Sequence, residues 1–289
     1  MSDNLVIINL DCPLMPIFPL IFVAVIQGLT EFLPVSSSAH LILVSELTER
    51  RDQDLLIDVS VHVGTLFAVV IYFWSDVRMA IAGSGRLCLG RVDSSDAFFA
   101  LCLLIATLPV LIAGAVLLWT GWIYHLRSIV VIGWAMIVFG VILYGTDQIG
   151  GQERTVSRWR LNHAVVMGLW QSVALVPGAS RSGVVISAAR YLGYDRVAAA
   201  RLAMLMSIPA IIASGAAVLW QAVVQGDIAA VGYGVVAAMF AFFAALVSIT
   251  IMMRVLRRFS YTPFVAYRVL LGIVLLIIGY GSSGTNILG

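Results

Sequence analysis

The sequence predicts an all-α integral membrane protein with six transmembrane helices and two re-entrant helix–loop–helix hairpins, arranged as two inverted-topology repeats. Three observations predict this fold: the apolar composition, the recurrence of apolar segments of membrane-spanning length, and two apolar segments that polar turns interrupt. Hydrophobic residues make up 61% of the 289 residues and charged residues 11%, whereas soluble domains contain about 45–50% and about 25%. A soluble fold could not bury so much apolar surface, so residues 1–289 are predicted to form a single membrane domain.

Six segments have the length of transmembrane helices, since about 20 apolar residues cross a hydrocarbon core of about 30 Å. Their Leu, Val, Ile, Ala and Gly residues are continuous, without the alternation that is typical of strands in a membrane barrel. The predicted spans are 55–75, 97–118, 128–146, 201–221, 231–253 and 265–281.

Two further apolar segments, 16–47 and 161–193, contain a turn rich in proline and serine near the middle. At about 32 residues, each is too short to cross the membrane twice and too polar in its centre to cross once. A half-helix of about 12 residues rises about 18 Å, so each segment is predicted to enter the membrane and return on the same side. Irregular backbone at that depth must be buried in protein or line a wet cavity, and the two turns are expected to share one.

The placement of arginine supports this number of crossings. Six crossings and two returning hairpins put all four arginine-rich connections on one side of the membrane, as expected for the cytoplasmic side, and both termini on the periplasmic side. The rich connections are 76–96, 147–160, 190–201 and 254–268, and the poor ones are 119–127 and 222–230.

Each half of the chain then contains one hairpin followed by three spans, and an odd number of crossings gives the halves opposite orientations. The predicted repeats are 16–146 and 161–281. Weak internal similarity agrees with this, because GLTEFLPVSSSAH at 28–40 and GLWQSVALVPGASRSG at 168–183 share a Gly-Leu start, a proline and a turn that contains serine.

The first turn carries a carboxylate and a run of three serines. Glu31 follows Gln27 by four residues, so the two share a helix face, and a carboxylate at membrane depth usually has a partner or a function. Pro34 ends the half-helix, and the serines offer caps for the next one. That second half-helix would point its N-terminus, with unpaired N–H groups and partial positive charge, into the membrane interior. We predict that phosphate oxygens bind there, beside Ser36, Ser37 and Ser38.

His40 lies three residues after Ser37 and four after Ser36, within reach of either hydroxyl along a helix. This spacing predicts that Ser37 is a nucleophile and His40 its acid–base neighbour. The alternative is that the serines serve helix packing and that His40 is a structural residue.

The second turn contains Gly178, Ser180, Arg181 and Ser182, which are predicted to bind phosphate. Glycine lets the backbone approach a ligand closely, and the planar guanidinium of Arg181 matches phosphate oxygens. Two inward helix N-termini and an arginine would suit a diphosphate. The alternative role of Arg181 is to neutralise Glu31, and both roles can coexist.

Two other features carry less weight. The net charge of +2 is too small to suggest nucleic acid as a partner. Asp58 and His62 are assigned to the end or polar lining of a span rather than to the site.

Together these motifs resemble the undecaprenyl-diphosphate phosphatases, also called bacitracin resistance proteins. The resemblance covers nearly the whole chain and rests on QGLTEFLPVSSSAH at 27–40, HVGTLFAVVIYFW at 62–74, PGASRSG at 177–183 and PFVAYR at 263–268. It implies a bacterial inner-membrane enzyme that hydrolyses undecaprenyl diphosphate to inorganic phosphate and the monophosphate, the lipid carrier used in cell-wall synthesis.

The resemblance also implies roles for individual residues. Ser37 would be the nucleophile on phosphorus, His40 its proton-transfer partner, and Arg181 the phosphate clamp. Glu31 and Gln27 occupy the family's E/Q-x-x-x-E motif, which implies that they hold a divalent cation, Mg or Ca, or orient catalytic groups. Gln27 is the neutral option in this motif, and an amide is a weaker metal ligand than a carboxylate.

Two other classes of protein remain as alternatives. A polyprenyl-phosphate flippase is one, because inverted repeats with broken helices are typical of secondary transporters, although transport needs no nucleophile. The type-2 phosphatidic acid phosphatases are the other, but their first motif contains lysine, which this chain lacks. The expected partners are the lipid diphosphate and membrane lipids, and a homodimer is left open.

Overall fold

The chain is helical throughout the residues that the computed structural model describes, which are 17–48, 55–122, 126, 128–151, 153–225 and 229–285. Within these ranges the structure also contains a 3-10 helix at Val156–Arg158 and an isolated bridge between Arg154 and Tyr194. The all-α prediction is therefore confirmed. The helices are α1 (Ile17–Thr30), α2 (Ser37–Thr48), α3 (Leu55–Tyr72), α4 (Trp74–Cys88), α5 (Ser95–Thr120), α6 (Ile129–Ile149), α7 (Leu161–Val173), α8 (Arg181–Tyr191), α9 (Arg196–Gln225), α10 (Ala229–Val255) and α11 (Thr262–Thr285).

Five of these helices, α5, α6, α9, α10 and α11, are long and apolar enough to cross a membrane. Helices α3 and α4 pass the same test as a pair but are bent by 94° where they meet, so the described ranges contain five or six candidate spans. Five of the predicted spans each overlap one helix, and the span predicted at 55–75 covers α3 and the first two residues of α4. The chain is an integral membrane protein built from several apolar helices.

The prediction that 76–96 is a connection is wrong for its first half, which forms α4. This helix carries Asp76, Arg78 and Arg86, so it lacks the continuous apolar run by which spans are recognised. The buried carboxylate of Asp76 accepts two hydrogen bonds from Arg201 of α9, at 2.8 and 2.5 Å. Helix α4 therefore packs into the bundle as an ordered element.

The two segments predicted as hairpins form two pairs of short helices. Helices α1 and α2 flank a first turn at 31–36, and α7 and α8 flank a second turn at 174–180. Helix α1 packs against α10, and α7 packs against α5. The long helices also pair, α3 with α10 and α6 with α11, so each short pair is held inside the bundle.

A buried ionic cluster ties the helices together near the arginine-rich connections. Asp147 of α6 accepts hydrogen bonds from Arg190 of α8 at 2.9 Å and from Arg196 of α9 at 2.8 Å, and from the backbone N–H of Tyr261 at 3.2 Å. Burial raises the pKa of the Tyr261 hydroxyl well above its usual value, and the Asp147 carboxylate raises it further. The phenol therefore stays neutral and donates a hydrogen bond to the Arg196 carbonyl at 2.8 Å.

One arginine that the sequence places in a connection belongs elsewhere. Arg268 was counted in 254–268, but it lies inside α11 and is fully buried. Its hydrogen bonds go to the two turns rather than to the ionic cluster. The predicted periplasmic position of the termini falls on residues 1–16 and 286–289, which lie outside the described ranges.

Candidate active site

The first turn connects α1 to α2 through residues 31–36, with Pro34 in its middle. Ser36, directly before α2, has a φ of 70°, in the left-handed region that non-glycine residues seldom adopt. Its hydroxyl lies 3.0 Å from that of Ser38. Backbone conformations of this kind cluster at functional sites, where the surrounding structure holds them in place.

The second turn repeats this local geometry. Ser180, directly before α8, has a φ of 68°. Its hydroxyl accepts a hydrogen bond from the N–H of Gly183 at 3.2 Å, and so caps α8, and it lies 3.2 Å from the hydroxyl of Ser182. A left-handed serine followed two residues later by a second serine therefore opens both α2 and α8.

Three side-chain hydrogen bonds join the two turns directly. Arg181 at the start of α8 forms an ion pair with Glu31. The hydroxyl of Ser38 accepts from the N–H of Gly178 at 3.2 Å. Ser182 donates to the carbonyl of Leu33 at 3.0 Å. The structure thus brings together two segments that are about 140 to 150 residues apart in the chain.

Glu31 is the centre of this contact. One carboxylate oxygen pairs with Arg181, and the other accepts hydrogen bonds from the Ser37 hydroxyl at 2.9 Å and from the Gln27 amide at 2.7 Å. The Glu31 side chain is 5% exposed, whereas that of Arg181 is 22% exposed. A buried carboxylate thus holds a serine hydroxyl and a guanidinium that remain accessible, which is a geometry suited to proton removal from Ser37 beside a bound anion.

The structure gives His40 partners other than Ser37. Its Nδ1 lies 2.8 Å from the carbonyl oxygen of Ser36, and its Nε2 lies 2.6 Å from the hydroxyl of Tyr267. The rings of His40 and Tyr267 stack with an interplanar angle of 8°. Because a carbonyl oxygen only accepts, Nδ1 carries the proton and Nε2 accepts from Tyr267 in the neutral imidazole. The hydrogen-bond partner of Ser37 is Glu31, so the carboxylate takes the place predicted for the imidazole.

His62 of α3 lies in the site, although the sequence assigns it to a helix end or a polar lining. Its Nε2 lies 3.2 Å from the amide nitrogen of Gln27 and 3.9 Å from a carboxylate oxygen of Glu31. Its Nδ1 lies 2.7 Å from the carbonyl oxygen of Asp58, so the proton belongs on Nδ1 and the lone pair of Nε2 faces the site. The opening histidine of the motif at 62–74 was the signal that could have identified it.

The other residues predicted to bind phosphate serve mainly to build the turns. The hydroxyls of Ser36 and Ser180 contact the serines two residues later. The hydroxyl of Ser38 bonds the N–H of Gly178, and Ser182 bonds the carbonyl of Leu33. In the part of the chain that the structure describes, Arg181 has one hydrogen-bond partner, Glu31, so the remaining N–H groups of its guanidinium are the clearest phosphate donors.

The cation that the resemblance implies would meet an amide, a carboxylate and an imidazole. Gln27 is fully buried, and its Oε1 has no hydrogen-bond partner among the described residues. Turning the amide about its last bond would bring this oxygen to the point between Glu31 and His62. No group of three or more His, Cys, Asp or Glu residues in the described ranges could hold a metal. A cation held by these three groups would take its other ligands from substrate and water, as Mg²⁺ commonly does.

A separate cavity of about 530 Å³ lies between α4, α5 and the 3-10 helix. Its lining includes Asp76, Arg201 and Trp159. None of the candidate site residues lines this cavity, and the two turns contact each other directly.

Comparison with known proteins finds relatives over most of the chain. A family model described as bacitracin resistance protein BacA matches residues 20–274, which contain both turns. An undecaprenyl-diphosphatase of Dinoroseobacter shibae is 58% identical over 266 residues, which cover 92% of this chain and 100% of the relative. An undecaprenyl-diphosphatase of Roseobacter denitrificans is 55% identical with the same coverage. An undecaprenyl-diphosphatase of Chromohalobacter salexigens is 41% identical over 254 residues, or 88% of this chain and 96% of the relative.

Proposed function

The chain belongs to the bacitracin resistance protein BacA family, and we propose that it hydrolyses undecaprenyl diphosphate to the monophosphate and inorganic phosphate. The observation that carries this proposal is that Glu31 binds both Ser37 and Arg181. A nucleophile, an acceptor for its proton and a guanidinium that can bind phosphate are thereby in contact. A flippase would need no hydroxyl held against a carboxylate, so hydrolysis is the function that the geometry supports best.

The diphosphate is proposed to bind where the N-termini of α2 and α8 meet. The accessible guanidinium of Arg181 and the first N–H groups of both helices would contact its oxygens. These groups would also stabilise the charge that spreads over the transferring phosphoryl group in the transition state. The polyprenyl tail would remain in the bilayer along the apolar outer surfaces of the helices.

In the proposed reaction, the Ser37 hydroxyl attacks the terminal phosphorus while its proton passes to Glu31, 2.9 Å away. The bond from phosphorus to the bridging oxygen breaks, and the polyprenyl monophosphate leaves. Water then releases inorganic phosphate from Ser37. We assign His40, which Ser36 and Tyr267 hold in position, to proton transfer during this second step.

A divalent cation, Mg or Ca, is proposed to bind at Glu31 and Gln27 beside His62. When bound, it would neutralise charge on the diphosphate oxygens. The orphaned oxygen of Gln27 supports its presence. Turning the Gln27 amide would also release Nε2 of His62 from its 3.2 Å contact with the amide nitrogen, which supports a third ligand.

Phosphate release from purified protein tests the proposed function. With undecaprenyl diphosphate and Mg²⁺, the protein is expected to release one phosphate per lipid, and a chelator is expected to reduce the rate at least about tenfold because the divalent cation that neutralises the diphosphate leaves the site. Added Mg²⁺ should restore it. Movement of an unaltered lipid phosphate between vesicle leaflets, without phosphate release, would instead establish the flippase.

The same residues support the predicted arrangement of two inverted repeats, with six crossings and two re-entrant hairpins. The left-handed serines before α2 and α8 occupy equivalent positions, as do Gly28 of α1 and Gly168 of α7. A Cβ on Gly28 would lie 2.5 Å from the Ala241 carbonyl oxygen of α10, and a Cβ on Gly168 would lie 2.6 Å from the Ala106 carbonyl oxygen of α5. Each repeat would thus hold the other's hairpin. We propose that the arginine-rich connections face the cytoplasm and the termini the periplasm of the inner membrane.

Alanine at Gly28 or at Gly168 is expected to lower the melting temperature by similar amounts. In each case the added methyl group meets a backbone oxygen of another helix, and overpacking of this kind costs about 1–3 kcal/mol. Gly215, which has open space around its position, provides the control. Gly215→Ala is expected to leave the melting temperature unchanged or to raise it. A large loss at one glycine and none at the other would contradict the equivalence of the two hairpins.

A further inference from the structure

Arg268 ends the PFVAYR motif, and the proposed reaction gives it no role. It lies inside α11 and is fully buried. A charged side chain at membrane depth is costly and is usually kept for a function. The surroundings of this arginine therefore require an explanation.

Every hydrogen bond that Arg268 makes in the described part of the chain goes to a backbone carbonyl. Nη1 donates to Pro34 of the first turn at 3.3 Å, and Nη2 donates to Gly178 at 3.0 Å and to Ala179 at 2.9 Å in the second turn. Nε donates to Met136 of α6 at 3.3 Å. One rigid guanidinium thus spans both turns.

A second buried arginine shows what an ordinary structural role looks like in this fold. Arg190 is also fully buried, but it pairs with the carboxylate of Asp147 at 2.9 Å. Arg268 forms no ion pair within the described ranges. Three of its four hydrogen bonds in these ranges go to carbonyls of the two turns, whereas Arg190 bonds neither turn and neutralises a buried acid.

The guanidinium also touches the first turn of α8. A Cβ on Gly183 would lie 2.6 Å from Nη1 of Arg268, and the N–H of Gly183 donates to the capping hydroxyl of Ser180. Arg268 is therefore packed against the helix start that presents Arg181, and it is bonded to the turn that presents Ser37.

We propose that Arg268 is a positioning residue that fixes the distance between Ser37 and Arg181 by binding the carbonyls of both turns. This inference rests on the proposed function. Arg268 acts through the turns and does not touch the substrate. A planar fork with several donors can hold two turns at one spacing, whereas the single ammonium of lysine cannot. A displacement of about 1 Å at a catalytic site costs about a hundredfold in rate.

Arg268→Lys tests this inference against Arg190→Lys as the matched control, since both substitutions keep the charge and remove a buried fork. Phosphate release by Arg268→Lys is expected to show a kcat about a hundredfold lower, because the reacting groups are misplaced. Arg190→Lys is expected to lower the melting temperature as much or more while its kcat stays within about twofold of wild type, since it bonds neither turn. A wild-type kcat for folded Arg268→Lys would overturn the inference.

Gly183→Ala gives a second route that keeps Arg268 in the chain. The methyl group would displace the guanidinium from the turns, and kcat is expected to fall about tenfold. A kcat unchanged in this variant would contradict the inference even if Arg268→Lys did not fold.

Calorimetry with inorganic diphosphate separates failure of the inference from failure of the proposed function. The two helix N-termini of Arg268→Lys would no longer be placed to bind the same anion. The Kd of this variant for inorganic diphosphate is therefore expected to rise about tenfold, while that of Arg190→Lys is unchanged. This result would stand even if wild-type protein released no phosphate from the lipid, which would refute only the proposed function. An equal Kd for Arg268→Lys and wild type would overturn the inference.

Discussion

Ser37→Ala is expected to lower phosphate release from undecaprenyl diphosphate by at least about a thousandfold, because it removes the attacking oxygen while the groups that bind the phosphate remain. The Ser37 hydroxyl bonds Glu31 and no other group in the described residues, so its loss leaves the turn contacts intact. Release of radiolabelled phosphate at saturating lipid measures the effect. Unchanged Kd for inorganic diphosphate would show that the site is still assembled.

Ser207→Ala is the matched control for this prediction. Ser207 is a buried serine of α9 that donates to the carbonyl of Met204 at 2.6 Å, a hydrogen bond within its own helix. Its variant is expected to retain the wild-type rate within about twofold. Wild-type release by Ser37→Ala would show that Ser37 is not the nucleophile and that water attacks the phosphorus directly.

Glu31→Gln is expected to reduce kcat by about 10²–10⁴-fold, because an amide cannot accept the proton of Ser37. The neutral side chain also leaves Arg181 without its ion partner, so the melting temperature should fall. Steady-state kinetics and thermal unfolding of the same preparation measure both effects.

Asp76→Asn breaks a comparable pair of carboxylate and arginine, formed with Arg201, outside the site. It is expected to lower the melting temperature and to leave kcat within about twofold. If Asp76→Asn lost as much kcat as Glu31→Gln, the effect of Glu31 would come from stability alone and not from proton transfer.

The sequence was sufficient to predict where the helices lie, because apolar runs of membrane length are a strong local signal. It failed at α4, whose charged residues interrupt the apolar run. The order of α4 depends on contacts with α5 and α9, such as the Asp76–Arg201 pair, which no local pattern reveals.

The site was predictable in part. Glu31, Ser37 and Arg181 stand out because charged and hydroxyl groups at a break in a membrane segment need partners. The pairing of Ser37 with His40 was a reasonable expectation from their spacing. Helical side chains lean toward the N-terminus, so His40 reaches back to the carbonyl of Ser36, whereas Ser37 opens the helix and reaches Glu31 across the turn.

Motifs contain His62 and Arg268, but their contacts could not be predicted from the sequence, because each contact is made with a distant segment. His62 lies 35 residues from Gln27 and 3.2 Å from its amide nitrogen. Arg268 resembles a charge in a connection until the fold places it behind both turns, 234 residues from Pro34. Tertiary packing alone reveals such contacts.

An experimental structure of Ser37→Ala with a polyprenyl methylene-diphosphonate bound tests most directly whether both turns bind one diphosphate. We predict that the phosphonate oxygens lie within hydrogen-bond distance of Arg181 and of the N–H groups that open α2. A ligand bound at one turn only, or in the cavity beside Asp76 and Arg201, would contradict it.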